Sequence, residues 1–155
     1  MRDGARWAAL LAGMWAGVLL CIGLIAAPAG FAMLAPQDAG RVAGRMFAAE
    51  AYLSLVLVMV LFAIERSRAR EAAATLAGSV LSTNIVLLFG VLFCTVAGYF
   101  AILPMMAAAR AGQGSWSFGA LHAASAVFFG LKGVLVLALA WRLGAAARVS
   151  APLTS

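Results

Sequence analysis

Four long apolar stretches, separated by short polar breaks, account for most of the chain. They run from about Trp7 to Leu34, Val42 to Ile64, Leu76 to Met106 and Trp116 to Leu143. Each exceeds the roughly 20 residues a helix needs to cross a hydrocarbon core of about 30 Å. No alternation of period two runs through them, and backbone groups in lipid must be satisfied within the segment, so helices rather than barrel strands are predicted. The breaks Ala35–Arg41, Glu65–Ala74 and Ala107–Ser115 are short. Short connections place consecutive helices antiparallel. The expected fold is all-α: an integral membrane four-helix bundle, up-down-up-down, in one domain spanning residues 1–155, with a mobile tail over 145–155.

Composition sharpens this picture. Of 155 residues, 66% are hydrophobic and 10% charged. A soluble domain carries about 25% charged residues, and so short a chain has too little volume to hide that much apolar surface. Arg2 and Arg6 before the first segment resemble the start of a secretory leader. The apolar run is longer than the roughly 7–15 residues of a leader core, so a retained helix is expected.

The net charge of +6 is arranged by side. Arg2, Arg6, Arg66, Arg68, Arg70, Arg142 and Arg148 fall on one side, and Arg41, Arg45 and Arg110 on the other. The positive-inside rule then puts both termini in the cytoplasm of a bacterial-type inner membrane. The basic residues sit in short flanks without interleaved aromatics, so lipid headgroups are the expected partner and nucleic acid is not.

Two helical hairpins repeat weakly. Leu19-Leu20-Cys21 followed by Pro28 parallels Leu92-Phe93-Cys94 followed by Pro104, and Phe47 to Ser54 parallels Phe118 to Ser125. Gly13 and Gly17 form a GxxxG, which lets helices approach closely; packing inside the bundle is the expected use. Pro28 and Pro104 each remove a backbone donor. They are expected to end their helices at the outer surface, the alternative being a paired widening that opens a cavity outward. Trp116 and Trp141 lie 25 residues apart, about 37 Å of helix, which suits one at each interface.

Ionisable groups inside lipid are costly and mark functional sites. Glu50, His122 and Lys132 are the candidates. Counted from Val42 and Trp116, Glu50 and His122 lie at similar depth near the outer side, so a contact between them is geometrically possible if helices two and four adjoin, the alternative being that each meets water near the outer mouth. Lys132 is deeper, and direct contact with Glu50 is not expected. His122, Ser125 and Lys132 fall on one broad side of the fourth helix at 100° per residue, so Lys132 is expected to face the interior, with Asn84 and Thr83 opposite. Cys21 and Cys94, with several methionines, are weak soft-metal candidates. No CxxC, HExxH or phosphate-binding loop occurs, and no nucleophile–base pair is identifiable. No cofactor is expected, and an enzyme ranks last.

Trp15-Ala16-Gly17, Ala27-Pro28-Ala29-Gly30-Phe31, Ala39 to Phe47 and Phe118 to Ser125 with Leu121-His122 together resemble the transmembrane-protein-205-like family. These are bacterial and eukaryotic membrane proteins carrying a domain of unknown function. The resemblance spans roughly Leu10 to Leu143 and implies a membrane fold, with no activity to carry over. The leading functional expectation is a small permease-like or transport-accessory protein. Its polar cleft would be lined by Glu50, His122, Ser125, Lys132 and Asn84, and protonation of Glu50 or His122 would alter its occupancy. The second expectation is a structural subunit or assembly factor that binds itself or other membrane proteins through glycine-rich faces. The third is a soft-metal or redox protein using Cys21 and Cys94.

Overall fold

The computed structural model describes residues 2–74 and 82–149, with backbone alone for residues 2, 3, 72–74 and 149. They form four membrane-length helices and no strand among the described residues. Helix α1 covers residues 2–33, α2 Pro36–Ala74, α3 residues 83–110 and α4 Phe118–Val149. The neighbours are α1 with α2, α2 with α3, α3 with α4 and α4 with α1. The bundle is therefore a simple ring. Within it α2 and α4 lie on a diagonal rather than side by side, so the adjacency that a Glu50–His122 contact requires is absent. The side carrying Arg2 and Val149 is called the near side below, and the opposite one the far side.

Polar residues read as loops are helical. Pro36 opens α2, and Asp38 sits in its first turn and pairs with Arg41 at 2.5 Å. Proline is favoured there because its missing N–H has no helical partner to lose, and a carboxylate suits the positive helix start. At the other end α2 continues through Glu65 to Ala74, where a break had been expected. Likewise α3 continues through Ala107 to Arg110, and α4 begins at Phe118, beyond Trp116. Residues 145–149, assigned to a mobile tail, are the last turn of α4, whereas 150–155 lie outside the described residues.

Pro28 and Pro104 do not end their helices. A π-helical segment, Ile22–Ala26, precedes Ala27–Met33, and a second, Val96–Ala101, precedes Ile102–Arg110. The Ala27 N–H bonds the Ile22 carbonyl, and the Ile102 N–H reaches the Ala97 carbonyl, each five residues back. A proline lacks the donor for the carbonyl four residues earlier and its ring crowds that carbonyl. A widened turn upstream takes up the misfit while the helix continues. The paired widening thus exists, yet the cavity described in the structure is elsewhere, on the outer flank of α1 and α4.

The core is concentrated in the near half. Ala8, Ala12, Trp15, Ala16 and Leu19 of α1 meet Val58 and Leu61 of α2, Leu88 and Val91 of α3, and Val136, Leu139 and Leu143 of α4. Alanines at positions 8, 12 and 16 recur every four residues, so this stripe brings α1 close to its neighbours. Gly13 and Gly17 lie one position round the helix and are exposed. A Cβ added at either would meet nothing within 4 Å. The expectation that this GxxxG packs inside the bundle is therefore corrected. Beyond Cys21, α1 buries no residue at all.

Candidate functional site

The centre of the bundle is polar. Along α2 the inward residues Ala43, Glu50, Ser54, Val58, Leu61, Glu65 and Ala69 follow spacings of three, four and seven, which keeps them on one helical face. Along α4 the corresponding seam is Leu121, Lys132, Val136, Leu139 and Leu143. Glu50 is fourteen residues in from Pro36, and Lys132 fourteen in from Phe118. Both are therefore about 21 Å from the far ends of their helices. The two long side chains meet across the diagonal: Lys132 Nζ donates to Glu50 Oε2 at 2.5 Å. Their side chains are 4% and 1% exposed, so no open cleft reaches them in this conformation.

Every remaining polar atom at the centre has a partner. The Ser54 hydroxyl donates to Glu50 Oε1, one turn back on α2. Trp15 of α1 donates its indole N–H to Ser54 Oγ at 3.1 Å. The Lys132 ammonium also lies 5.2 Å from the ring centroid of Phe129, within cation–π range. Phe47 meets the same ring edge-on at 5.1 Å. On α3, Cys94 and Thr95 are both buried, and Thr95 returns its hydroxyl to the Val91 carbonyl. Residues of α1, α2 and α4 are thus joined in one network around the charge pair.

The other candidates are elsewhere. His122 is exposed and stacks on Phe118 at 5.9 Å, with the Arg110 guanidinium 4.4 Å from the same Phe118 ring. It does not pair with Glu50. Ser125 donates to the Gly98 carbonyl at 3.1 Å, inside the second π segment. Asn84 does not face Lys132. It donates to Glu65 Oε2 at 2.8 Å and accepts from Arg142 Nε at 2.9 Å, while Glu65 also accepts from Arg68. This second polar network ties α2, α3 and α4 together at the near side. Glu65, Trp15 and Ser54 were not singled out from the sequence. Val58 and Leu61 separate the two networks along α2.

The π segments flank the centre on its far side, and both rest on α4 through a glycine. A Cβ on Gly98 would come within 2.8 Å of Phe128 Cβ, and one on Gly23 within 3.0 Å of the Phe129 ring. Consecutive phenylalanines of α4 therefore occupy the two places where the odd helices widen. Cys21 is exposed and Cys94 buried; both are free thiols. Among the described residues no three His, Cys, Asp or Glu side chains cluster as a metal set.

Residues 10–115 match a family described as a domain of unknown function, DUF4149. The chain belongs to that family. No curated protein and no solved structure matches it. The DUF4149 match covers α1 to α3 and ends before α4. It therefore takes in Trp15, Glu50, Ser54 and Cys94 but not Lys132. With four apolar helices of spanning length, this DUF4149 chain is a multi-pass membrane protein.

Proposed function

We propose that this DUF4149 protein is a small permease-like or transport-accessory protein, with the Glu50–Lys132 pair as its working centre and this conformation as its occluded state. The observation that carries the reading is the pair itself, buried at mid-depth between two helices that do not pack on each other. Taking two charges out of water offsets most of their attraction, so apolar residues of similar volume would hold the bundle as well. Charges retained at such depth mark pathways and relays. The uneven packing supports the same reading. On the near side of the pair lies a dry layer of Val58, Leu61, Leu88, Val136 and Leu139. On the far side α1 buries nothing beyond Cys21, and two proline-linked π segments flank the pair. Separation of the helices there gives far-side water access to Glu50 and Lys132. In this reading both termini are cytoplasmic and the membrane is a bacterial inner membrane, as the arginine bias indicates. The resemblance to the transmembrane-protein-205-like proteins belongs to the same proposal and adds no substrate.

The test is solvent access. In a C21A/C94A background, Ala51→Cys places a thiol beside Glu50 on the buried face, and Val56→Cys one on the exposed face. A membrane-impermeant thiol reagent added from the far side is expected to label position 51 faster than position 56. Equal inertness of both would remove the permease-like reading and favour a structural subunit or assembly factor, for which the exposed Gly13 and Gly17 speak.

A further inference from the structure

The outer flank of α1 and α4 carries a groove of about 440 Å³ lined by Gly13, Gly17, Leu20, Leu137, Gly144 and Arg148, among others. It is a shallow, open groove whose floor includes three glycines, and a Cβ at Gly13, Gly17 or Gly144 would meet nothing within 4 Å. Its walls include Ala16, Ala140 and Trp141, the last 74% exposed to the membrane. The groove is separate from the Glu50–Lys132 centre and does not depend on the permease-like reading.

Length and charge identify the occupant. From Arg148 to Leu137 the groove follows eleven residues of α4, about 16 Å at 1.5 Å per residue. That is half of a hydrocarbon core of about 30 Å, the depth of one leaflet. Past it, the exposed stripe Gly13, Gly17, Leu20 continues to Leu24, which is 72% exposed, and Leu137 lies five residues to the near side of Lys132, so the small-residue floor ends short of mid-membrane. A groove confined to the near-side half of the bundle suits an acyl chain of that leaflet. The near end carries Arg148, a cation at the interface, and among the described residues no carboxylate pairs with it. A guanidinium suits a phosphate geometrically as well as by charge. Trp141 sits one and a half to two turns further in, beside the upper part of an acyl chain.

We propose that this groove is a binding site for one anionic phospholipid of the near-side leaflet, its acyl chain along Gly144, Gly13 and Gly17 and its phosphate on Arg148. The test uses full-length protein in mild detergent, titrated with dioleoyl phosphatidylglycerol or with dioleoyl phosphatidylcholine, which shares its chains. Retained lipid is counted by native mass spectrometry, and thermal unfolding gives an independent reading. One phosphatidylglycerol is expected to bind with at least tenfold preference. Arg148→Gln should remove that preference while weak binding of both lipids remains. Gly17→Leu, whose Cβ enters open space and whose side chain occupies the groove, should abolish binding of both. Equal binding of the two lipids would overturn the proposal. So would a preference that survives Gly17→Leu, since it would reflect diffuse attraction to the other arginines. A dimer dispersed by Gly17→Leu would overturn it too, by assigning the groove to a second copy.

Discussion

Lys132 and Glu50 join helices that do not pack on one another: the ammonium of α4 reaches the carboxylate of α2 across the bundle diagonal at 2.5 Å. Because both groups are buried, each is the other's main compensation for leaving water. Lys132→Leu alone then leaves the Glu50 carboxylate buried with only Ser54 beside it. Breaking such a pair from one side costs about 3–5 kcal/mol. Replacing both at once, as E50L/K132L, is expected to be near neutral for stability. Unfolding of the two single variants and the double variant in detergent checks this, and additive losses would show that the pair does not act as a unit.

Trp15 combines bulk and a donor. Its ring is 1% exposed within the core, and its N–H meets Ser54. Trp15→Phe keeps most of the volume and removes the donor, so a loss of about 0.5–1.5 kcal/mol is expected. Trp15→Ala also opens a cavity, and about 3–5 kcal/mol is expected. If the two variants unfolded at the same temperature, packing would not be the larger part.

Gly98 and Gly17 are both helical glycines with opposite surroundings. A Cβ at Gly98 would come within 2.8 Å of Phe128 Cβ, while one at Gly17 meets nothing. Gly98→Ala forces α3 and α4 apart at the π segment and is expected to cost about 1–3 kcal/mol. Gly17→Ala is expected to be neutral or slightly stabilising, since alanine is the better helix former by about 0.8–1 kcal/mol. Thermal unfolding of both in parallel separates packing from propensity.

Asn84 holds the near-side network by donating to Glu65 and accepting from Arg142. Asn84→Ala leaves the 4%-exposed Glu65 with Arg68 alone. An unsatisfied buried polar group costs about 1–3 kcal/mol. Amide exchange near the start of α3 is expected to rise more than exchange beside Trp15, and a uniform rise would argue against a local clamp.

The topology is also open to measurement. Reporter fusions after Arg70 and at the C-terminus are expected to report cytoplasm, and fusions at Gln37 and Gly112 the opposite side. Reversal at two of these sites would overturn the orientation.

The apolar runs by themselves determined four membrane-spanning helices, because only a helix satisfies the backbone over such lengths in lipid. Position around α2 follows a regular pattern: Glu50, Ser54, Val58, Leu61 and Glu65 repeat at helical spacing, so one face of α2 is written in the chain although Ser54 and Glu65 were not picked out from it. Depth was not, because Ala35 to Arg41 read as loop although α2 begins at Pro36, which sets Glu50 level with Lys132 rather than with His122. Glu65 was lost at the other end for the same reason: charged residues continue a helix past the apolar run whenever water or a partner can satisfy them. Which helices are neighbours, and hence that α2 and α4 are diagonal, is decided by how four helices close into a ring. That closure turned Gly13 and Gly17 outward and brought the alanines at 8, 12 and 16 inward. Periodicity cannot choose between two small-residue stripes one position apart, because both permit close approach, and only the packing against Val136, Leu139 and Leu143 selects one.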